Sequence, residues 1–478
     1  MEGYGDRRAG DPSHLLHGNT GMRASLRPAM LHQQLALDWA ARRTSIALFL
    51  EMRLGKTLVA IRWAARFAGP KLVVAPLGAL HSWVDELLLE RQHSYRLWSA
   101  ASRHRIELPD NADSLPEWNL INPEGLLTRQ KESLFPGQLP ASHFGKYHWP
   151  TVILDESAKF KNPQATVTRI ATRYLSRASQ KAILSGLPNP ESDLDFFEQF
   201  RFLMGSFLGH KNYWRFRAHR FHLVDRFNWQ PRPGTRKAIQ NAVHRDGLVR
   251  SRKDVGLGNQ LIRSVRYVEL PGKVRKAYQQ AERLYAVGKT ETRSSLTVFN
   301  WLQQLAGGYP KEPSFPGHEE KTRAVLDLAT TDLRDQQFLV WFHYLREGKA
   351  VQQALRYIGI RAYRIRGATP IHTRHTLRQW FQAGDAQVLC VQYMCGRYGL
   401  DFSAASTSIF FSEPTSYDAA AQARERIAHP KKREPLFLLS LVAKDTIDED
   451  VHWSLCLKKK RSRNMLAQID KRIKARWR

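Results

Sequence analysis

The chain has 478 residues, of which 42% are hydrophobic and 10% aromatic, so it carries enough apolar surface for packed cores and is not generally disordered. Because a single core stops growing at roughly 250 to 300 residues, at least two domains are expected. The formal net charge of +30 favours a polyanionic partner, with nucleic acid ahead of acidic lipid.

Cysteine usage and apolar run lengths bear on the compartment. The three cysteines, Cys390, Cys395 and Cys456, have no CxxC spacing, which argues against a disulfide framework and a zinc site. The first residues lack the apolar segment of a secretion signal, and no run reaches the roughly 18 apolar residues of a membrane span. We therefore expect a cytoplasmic protein with no membrane partner.

The first part of the chain predicts a leader followed by an α/β lobe. Residues 1–22 are polar and are expected to lack a core. The apolar run at 45–50, a turn, and apolar residues at helical spacing over 57–68 predict a strand, a loop and a helix. Further buried-type strands follow at intervals long enough for helices, namely KLVVAP, NLINP, TVILDE and KAILSG. A lobe with a parallel sheet is thus expected over 23–205.

A second series of apolar runs predicts a second lobe over 310–455. Its candidate strands, separated by helical segments, are QQFLVWF, IRAYRI, QVLCVQY, STSIFFS and PLFLLSLV. The expected fold class is therefore α/β, with two tandem lobes in which parallel sheets are flanked by helices.

Between the lobes, residues 206–309 predict a basic helical insertion. The stretch from His210 to Lys253 has twelve Lys or Arg against two Asp, interleaved with six aromatic residues. Such a stretch either grips a nucleic-acid backbone or packs its rings inward with its charges solvated, and the sequence leaves both open. Residues 456–478 are also basic and predict a helix or tail suited to electrostatic contact with phosphates.

Leu54-Gly55-Lys56-Thr57 stands between the first predicted strand and helix and resembles a phosphate-binding turn. The glycine lets the backbone approach a phosphate, the lysine neutralises terminal phosphates, and the threonine hydroxyl can ligate Mg²⁺, all at a helix N-terminus. Leu50 occupies the first glycine position of the full GxxxxGKT pattern, so the pattern is incomplete.

Asp155 and Glu156 close the apolar run TVIL and should lie at the carboxyl edge of the parallel sheet, where ligands of open α/β sheets bind. Asp155 is expected to hold Mg²⁺ directly or through water, and Glu156 to orient the attacking water. An isolated acidic pair often marks only a turn, but the upstream glycine-lysine-threonine segment favours the catalytic interpretation.

Segments of both predicted lobes resemble, in the right order, motifs of the Swi/Snf-type ATPases of helicase superfamily 2. The resemblance covers about residues 23–455. In the first lobe it rests on LRP with Gln33 and Trp39 (the adenine-sensing Q motif), VVAPLGALHSWVDE (motif Ia), DESAKFKN (the DEAH box) and LSGLPNP (motif III). LVRSRKDV is similar to an arginine-rich element that most other superfamily-2 branches lack. In the second lobe it rests on QFLVWFHY (motif IV) with YRIRGAT, GRYGLDFSAAS (motif V), QARERIAHP (motif VI) and AKDTIDEDV (the closing helix).

The resemblance implies two RecA-like lobes that hydrolyse ATP with Mg²⁺ between them and move along double-stranded DNA. The catalytic residues would be Lys56, Asp155, Glu156 and Arg426, with Thr57 and Asp155 at the metal. The nucleotide would be bound by Gln33, Leu54, Gly55, Lys56, Thr57, Asp401 and Gln422. Nucleic acid would be contacted, through phosphates rather than bases, by Gly78, His81, Asn122, Lys161, Asn162, Arg250, Arg252, Lys253, Arg366 and Gly367.

The sequence departs from the family pattern at four positions. Arg53 replaces a glycine before LGKT, Ala158 replaces the DEAH histidine, and Arg397 replaces a motif V glycine. His429 stands where motif VI has its second arginine, whose charge stabilises the transferring phosphoryl group. The retained Arg426 or the nearby Arg433 takes over, His429 acts while protonated, or turnover is slow.

Two other functions remain open on the sequence alone. One is a superfamily-2 helicase that separates DNA or RNA strands, which would share the ATP motifs but not LVRSRKDV. The other is a nucleic-acid clamp with little ATPase activity, suggested by Arg53, Ala158 and His429. The compact motor suggests a bacterial or phage source, so the expected location is the bacterial cytoplasm or nucleoid, or the cytoplasm of an infected host.

Overall fold

The computed structural model describes residues 26–98, 114–127, 141–186, 188–189, 192–225, 228–257, 260–284, 286–287, 290–292, 294–396, 401–429 and 432–456. The expected leader, the expected tail beyond Cys456 and the departure at Arg397 lie outside these ranges.

The strands of the first half form a seven-stranded sheet and a hairpin. In chain order they are β1 (Ser45–Leu50), β2 (Lys71–Val74), β3 (Tyr95–Leu97), β4 (Trp118–Ile121), β5 (Thr151–Leu154), β6 (Gln180–Leu184), β7 (Phe221–Asp225), β8 (Asn228–Pro231) and β9 (Gly247–Arg250). The sheet has the order β3-β4-β2-β5-β6-β1-β9, and all its neighbours are parallel. Strands β7 and β8 pair antiparallel.

The described strands of the second half form a six-stranded sheet and a separate pair. In chain order they are β10 (Leu261–Val268), β11 (Ala286–Val287), β12 (Thr290–Glu291), β13 (Phe338–Phe342), β14 (Ala362–Ile365), β15 (Val388–Gln392), β16 (Thr407–Phe410) and β17 (Leu436–Ala443). The sheet has the order β10-β17-β16-β13-β15-β14 and is again parallel throughout. Strands β11 and β12 form a separate antiparallel pair.

Helices cover both faces of each sheet. The first half has α1 (Leu31–Ala40), α2 (Lys56–Ala64), α3 (Leu80–Leu89), α4 (His143–Lys146), α5 (Thr166–Arg173), α6 (Phe196–Met204), α7 (Tyr213–Arg220) and α8 (Thr235–Asp246). The second half has α9 (Gly272–Leu284), α10 (Ser295–Gly307), α11 (Glu320–Thr330), α12 (Leu345–Tyr357), α13 (Ile371–Ala383), α14 (Tyr393–Gly396), α15 (Tyr417–Arg424) and α16 (Ile447–Cys456). The expected α/β fold with two tandem lobes is confirmed.

Strand β1 shows why the predicted strands are apolar without alternation. Ile46, Leu48 and Leu50 enter the core shared with α1, α2 and α3. Ala47 and Phe49 enter the opposite core, which α6 helps to form. Because a strand covered on both faces buries every side chain, its sequence is a continuous apolar run.

The segment 206–309 is divided between the two lobes. Strand β9 hydrogen-bonds to β1, so the first sheet extends beyond residue 205. Strand β10 pairs with β17 over eight residues, so the second sheet begins well before residue 310. Helices α9 and α10 pack into the second lobe's core, whereas Phe216 and Phe221 of the basic stretch pack into the first.

Among the residues described, we find no helix with the length and apolar content needed to cross a membrane.

A buried ion pair connects α11 of the second lobe to the closing helix α16. Lys321 of α11 donates to the carboxylate of Asp448 on α16 at 2.6 Å and to the carbonyl oxygen of Phe411 at 2.8 Å. Both charged side chains are almost completely shielded from solvent. Removing one partner would leave an uncompensated buried charge, which is strongly destabilising.

We expect Asp448→Ala to lower the free energy of unfolding of the second lobe by about 3 to 5 kcal/mol, because Lys321 would stay buried without its counter-ion. Urea unfolding followed by circular dichroism measures this loss. The control is Asp327→Ala, which breaks the solvent-exposed pair with Arg266 in the same lobe and should cost under about 1 kcal/mol. Equal losses in the two variants would contradict the assignment.

Candidate functional site

The phosphate-binding turn lies between β1 and α2, as predicted. Gly55 precedes α2 in the left-handed conformation at φ 75°, and a Cβ atom there would lie 2.2 Å from Nε2 of Gln33. A side chain at position 55 would therefore be both strained and blocked. Nζ of Lys56 donates to the carbonyl oxygen of Leu50 at 2.8 Å, which holds the ammonium group at the turn.

Helix α1 braces this turn. Oε1 of Gln33 accepts from the backbone N–H of Met30 at 2.9 Å, and its amide nitrogen lies against Gly55. The ring of His32 contacts the carbonyl oxygen of Leu54 at 3.1 Å. Three of the predicted nucleotide-binding residues, Gln33, Leu54 and Gly55, thus lie together where α1 packs on the turn.

The acidic pair follows β5, one strand away from β6 and two from β1. Oδ2 of Asp155 accepts from the indole N–H of Trp83 at 2.8 Å, and Oδ1 accepts from the backbone N–H of Glu156 at 2.9 Å. Burial raises the pKa of Asp155, an effect that these hydrogen bonds and Lys56 oppose. Trp83 lies within the motif Ia segment, and nothing in the sequence indicated that its indole would orient the carboxylate.

Glu156 is held in an unusual environment. Its backbone has φ 49°, a conformation that costs a non-glycine residue free energy and is found at functional sites. Burial and the adjacent Asp155 carboxylate raise the pKa of Glu156 to about 7, while Lys56 and Arg426 act in the opposite direction. Burial also lowers the pKa of Lys56, which the two carboxylates counteract. The three groups therefore form one buried charge cluster.

Second-lobe residues face this cluster across the cleft. The backbone carbonyl oxygen of Arg426 accepts from Arg53, just before the phosphate-binding turn, at 3.2 Å, and the positive charge of Arg426 acts to lower the pKa of both Lys56 and Glu156. Gln422 of α15 is buried, and its amide donates to Asp418 at 2.8 Å. Besides Arg426, the sequence offered His429 and Arg433 as replacements for the second arginine of motif VI. His429 is half-buried and Arg433 is exposed.

Arg53 connects the phosphate-binding turn to the second lobe. Its φ is 69°, in the left-handed region that is strained for arginine. The glycine that the family has at this position could adopt the same conformation without strain. Its Nη2 donates to Oδ1 of Asp401 at 2.9 Å and to the carbonyl oxygen of Arg426 at 3.2 Å. The pKa of Asp401 is lowered because Arg53 and the hydrogen bonds from Ser403 outweigh the effect of burial. The first departure from the family pattern thus makes a contact between the lobes.

Arg252 also bridges the cleft, although we expected it at the nucleic acid. It is buried and forms ion pairs with Glu425 of the second lobe and, at 3.8 Å, with Glu51 of the phosphate-binding turn. Its backbone N–H donates to the carboxylate of Glu51 at 2.6 Å. This residue of the arginine-rich element therefore holds the two lobes together.

The other residues expected to contact nucleic acid follow the carboxyl ends of parallel strands in both sheets. Asn122 is buried, and its amide donates to Glu124 at 2.6 Å. The ring of His81 on α3 meets that of His375 on α13 edge to face at 4.9 Å, so these helices approach each other across the lobes. The remaining residues are exposed or half-buried, namely Gly78, Lys161, Asn162, Arg250, Lys253, Arg366 and Gly367.

Some aromatic residues of the basic stretch pack inward, and others remain at the surface, where they could contact nucleic acid. Phe216 and Phe221 are buried in the first lobe's core, as the packing interpretation requires. Trp214 remains 45% exposed. Arg217 lies over the rings of Trp214 and Trp229, with its guanidinium carbon 4.6 and 4.2 Å from their centroids. The stretch therefore packs into the first lobe and also presents a basic, partly aromatic surface.

Family comparison agrees with this architecture. Residues 32–306, more than half of the chain, match the model of the SNF2-related domain, and residues 320–431 match the helicase conserved C-terminal domain. The chain belongs to the SNF2-related family. The resemblance inferred from the motifs is thereby confirmed, and the SNF2-related chain carries the nucleic-acid-dependent ATPase core of that family.

Individual relatives of the SNF2-related chain are distant and mostly longer. An "Uncharacterized ATP-dependent helicase" of Mycoplasma pneumoniae is 22% identical over 80% of the chain and 36% of its own length. A SWI/SNF-related regulator of chromatin, subfamily A-like protein 1 homolog, of Caenorhabditis elegans is 24% identical over 86% of the chain and 57% of its own length. The Sulfolobus solfataricus SWI2/SNF2 ATPase core in complex with dsDNA aligns over 95% of both chains at 18% identity and TM-score 0.42. The chain thus spans less than two thirds of these two relatives' length.

We expect Trp83→Phe to lower kcat for ATP hydrolysis by about tenfold, because the Asp155 carboxylate would lose a charge-assisted hydrogen bond while most of the packing remains. Steady-state kinetics over a range of Mg²⁺ concentrations measures the change. In the control, Trp98→Phe, the lost indole hydrogen bond goes to Asn119 near the far edge of the sheet. If both variants lose the same activity, Trp83 acts only through packing.

Proposed function

We propose that this SNF2-related chain is an ATP-dependent translocase that moves along double-stranded DNA. The observation that carries the proposal is that both lobes meet at the phosphate-binding turn, where Arg53, three residues before Lys56, donates to Asp401 and to the backbone carbonyl oxygen of Arg426. A site assembled from both lobes makes hydrolysis depend on cleft closure, and closure is the movement that advances a motor.

The residues at the turn fit ATP as the substrate. The N-terminus of α2, with Gly55 before it, offers backbone N–H groups to phosphate oxygens. Lys56 would neutralise the terminal phosphates, and Gln33, packed on the turn, is positioned to recognise the base end. From the second lobe, Asp401 and Gln422 would close over the nucleotide.

A magnesium ion fits the oxygen donors present. Thr57, the second residue of α2, and Asp155, which directly follows β5, would supply a hydroxyl and a carboxylate. Such a site suits Mg²⁺, which commonly takes one or two protein ligands and completes its shell with phosphates and water. When bound, the ion would offset charge on the transferring phosphoryl group.

Glu156 and Arg426 would carry out the remaining steps. The Glu156 carboxylate would orient the attacking water and accept its proton. Arg426 would stabilise the charge that develops on the phosphoryl group, the role that the second arginine of motif VI has in the family. The contact of the Arg426 backbone carbonyl oxygen with Arg53 at the phosphate-binding turn supports this choice over the exposed Arg433.

Charge and position support a track for duplex DNA across both lobes. The net charge of +30 favours a polyanion, and the exposed candidate contacts follow the carboxyl ends of strands in both sheets. Gly78 and Lys161 would touch the backbone from the first lobe, and Arg366 and Gly367 from the second. Contacts of this kind position a protein on phosphates without reading sequence.

The duplex specificity is tested by ATP hydrolysis with duplex DNA, single-stranded DNA and RNA in turn. We expect strong stimulation by duplex DNA, and we expect Lys56→Ala to reduce the stimulated rate by about a hundredfold or more, because the phosphates lose their buried cation. The control, Lys273→Ala, changes an exposed lysine on α9 and should behave as wild type. A preference for single strands or RNA would favour a strand-separating helicase, and tight binding without turnover would leave a clamp.

The source of the motif VI charge is tested by three single variants. We expect Arg426→Ala to lower kcat by about a thousandfold with little change in KM, because the charge acts in the transition state. Arg433→Ala and His429→Ala should keep most of the activity. Loss of activity in either of these two, with Arg426→Ala active, would reassign the role.

A further inference from the structure

A buried glutamine links two parts of the nucleotide site that the sequence left unconnected. The acidic pair is followed by a short 3₁₀ helix, Ser157–Phe160, in which Ala158 replaces the family's histidine. The LSGLPNP segment begins at the end of β6, the strand next to β5 in the sheet. With alanine at 158, this side chain cannot form a hydrogen bond between the two segments.

Gln199 of α6 forms such a connection. Its Oε1 accepts from the hydroxyl of Ser157 at 2.6 Å, and its Nε2 donates to the carbonyl oxygen of Pro188 at 2.6 Å. Nε2 also donates to the carbonyl oxygen of Asp195 at 2.7 Å. Ser157 and Gln199 are fully buried, so each bond would be costly to lose.

Each end of this connection reaches a functional group. Ser157 directly follows Glu156. On the other side, Gly186 precedes Pro188 and packs against the phosphate-binding turn, where a Cβ atom at 186 would lie 3.1 Å from Cγ of Met52 and 3.5 Å from Nζ of Lys56. The bonds of Gln199 therefore complete a path around the nucleotide site.

A second contact on the same helix leads outward. Asp195 lies four residues before Gln199 and so on the same face of the helical segment. Its carboxylate forms an ion pair with Lys161 at 3.8 Å, and Lys161 is one of the expected nucleic-acid contacts. The segment 157–161 is thus held at both ends by one short stretch of protein.

Gln199 is a buried polar residue on a largely apolar helix. Its neighbours Phe196, Phe197 and Phe200 lie in the first lobe's core, and the adjacent Glu198 is buried as well. A buried amide is costly unless its hydrogen bonds are made, and both ends of the Gln199 amide are bonded. The side chain is therefore held in one position by its three partners.

We propose that Gln199 is a positioning residue that couples nucleic-acid contact at 157–161 to ATP hydrolysis, and so replaces the link that Ala158 cannot make. Movement of Lys161 on the nucleic acid would shift Ser157 and Pro188 together through Gln199, and with them Glu156 and the turn around Lys56. The inference rests on the nucleic-acid-dependent ATPase and does not require translocation along duplex DNA.

Gln199→Met tests this proposal because it keeps the side-chain length but removes all three hydrogen bonds. The readout is the ratio of ATP hydrolysis rates with and without nucleic acid, measured at saturation with linear duplex DNA. We expect the ratio to fall by about tenfold, the effect of one lost buried hydrogen-bond link. A purely structural role would lower both rates equally and leave the ratio at its wild-type value, which would overturn the proposal.

Two further variants sharpen the test. Gln303→Met, which changes a buried glutamine in the second lobe, should keep the wild-type ratio. Ser157→Ala should lower the ratio, and adding it to Gln199→Met should cause little further loss, because both act through one link. Additive losses would overturn a shared path.

Failure of the duplex proposal is distinguishable from failure of the coupling. If single-stranded DNA or RNA stimulates the wild type instead, the duplex proposal is wrong and the same ratio is measured with that nucleic acid. If the wild type is stimulated and Gln199→Met keeps the ratio, the coupling is wrong. If no nucleic acid stimulates the wild type, both are wrong.

Discussion

The buried cluster of Lys56, Asp155 and Glu156 is the constraint on which the rest of the site depends. Each charge alone would be costly to bury. Lys56 lowers the pKa of both carboxyl groups and they raise the pKa of Lys56, so the opposite charges stabilise one another, whereas the Asp155 carboxylate raises the pKa of Glu156. The lysine offsets the two carboxylates only while the carboxyl ends of β1 and β5, which β6 separates, are held at the same edge of the sheet. The parallel sheet supplies that alignment, and Trp83 fixes the orientation of one carboxylate within it.

Contacts across the cleft make the second lobe part of the same electrostatic system. Arg53 reaches Asp401, and Arg252 reaches Glu425, so arginines of the first lobe meet acids of the second. Both arginines lie close to the phosphate-binding turn. Arg53 directly precedes it in sequence, and the backbone N–H of Arg252 donates to Glu51, just before the turn. Any change in the turn on nucleotide binding would therefore act directly on the position of the second lobe.

The sequence predicted what local pattern controls, and it failed where distant residues meet. Continuous apolar runs predicted the parallel strands, and the residues after β1 and β5 could be predicted to lie close together because the strand ends share one edge of the sheet. Trp83 contacts Asp155 across 72 residues of sequence, and Arg53 contacts Asp401 across 348. No local sequence pattern could predict either contact. The arginine-rich element was recognisable as a motif, but the burial of Arg252 depends on Glu425 in the other lobe.

Departures from the family pattern can be understood together through these long-range contacts. Where Arg53 replaces glycine, its strained backbone is accompanied by an ion pair between the lobes. Where Ala158 lacks the histidine, Gln199 provides hydrogen bonds to both neighbouring segments. Where His429 replaces arginine, the retained Arg426 lies beside the phosphate-binding turn, because its backbone carbonyl oxygen accepts from Arg53. The contacts of Arg53 and Arg426 connect the two lobes and those of Gln199 connect segments of the first lobe, while Lys56, Asp155 and Glu156 are all retained.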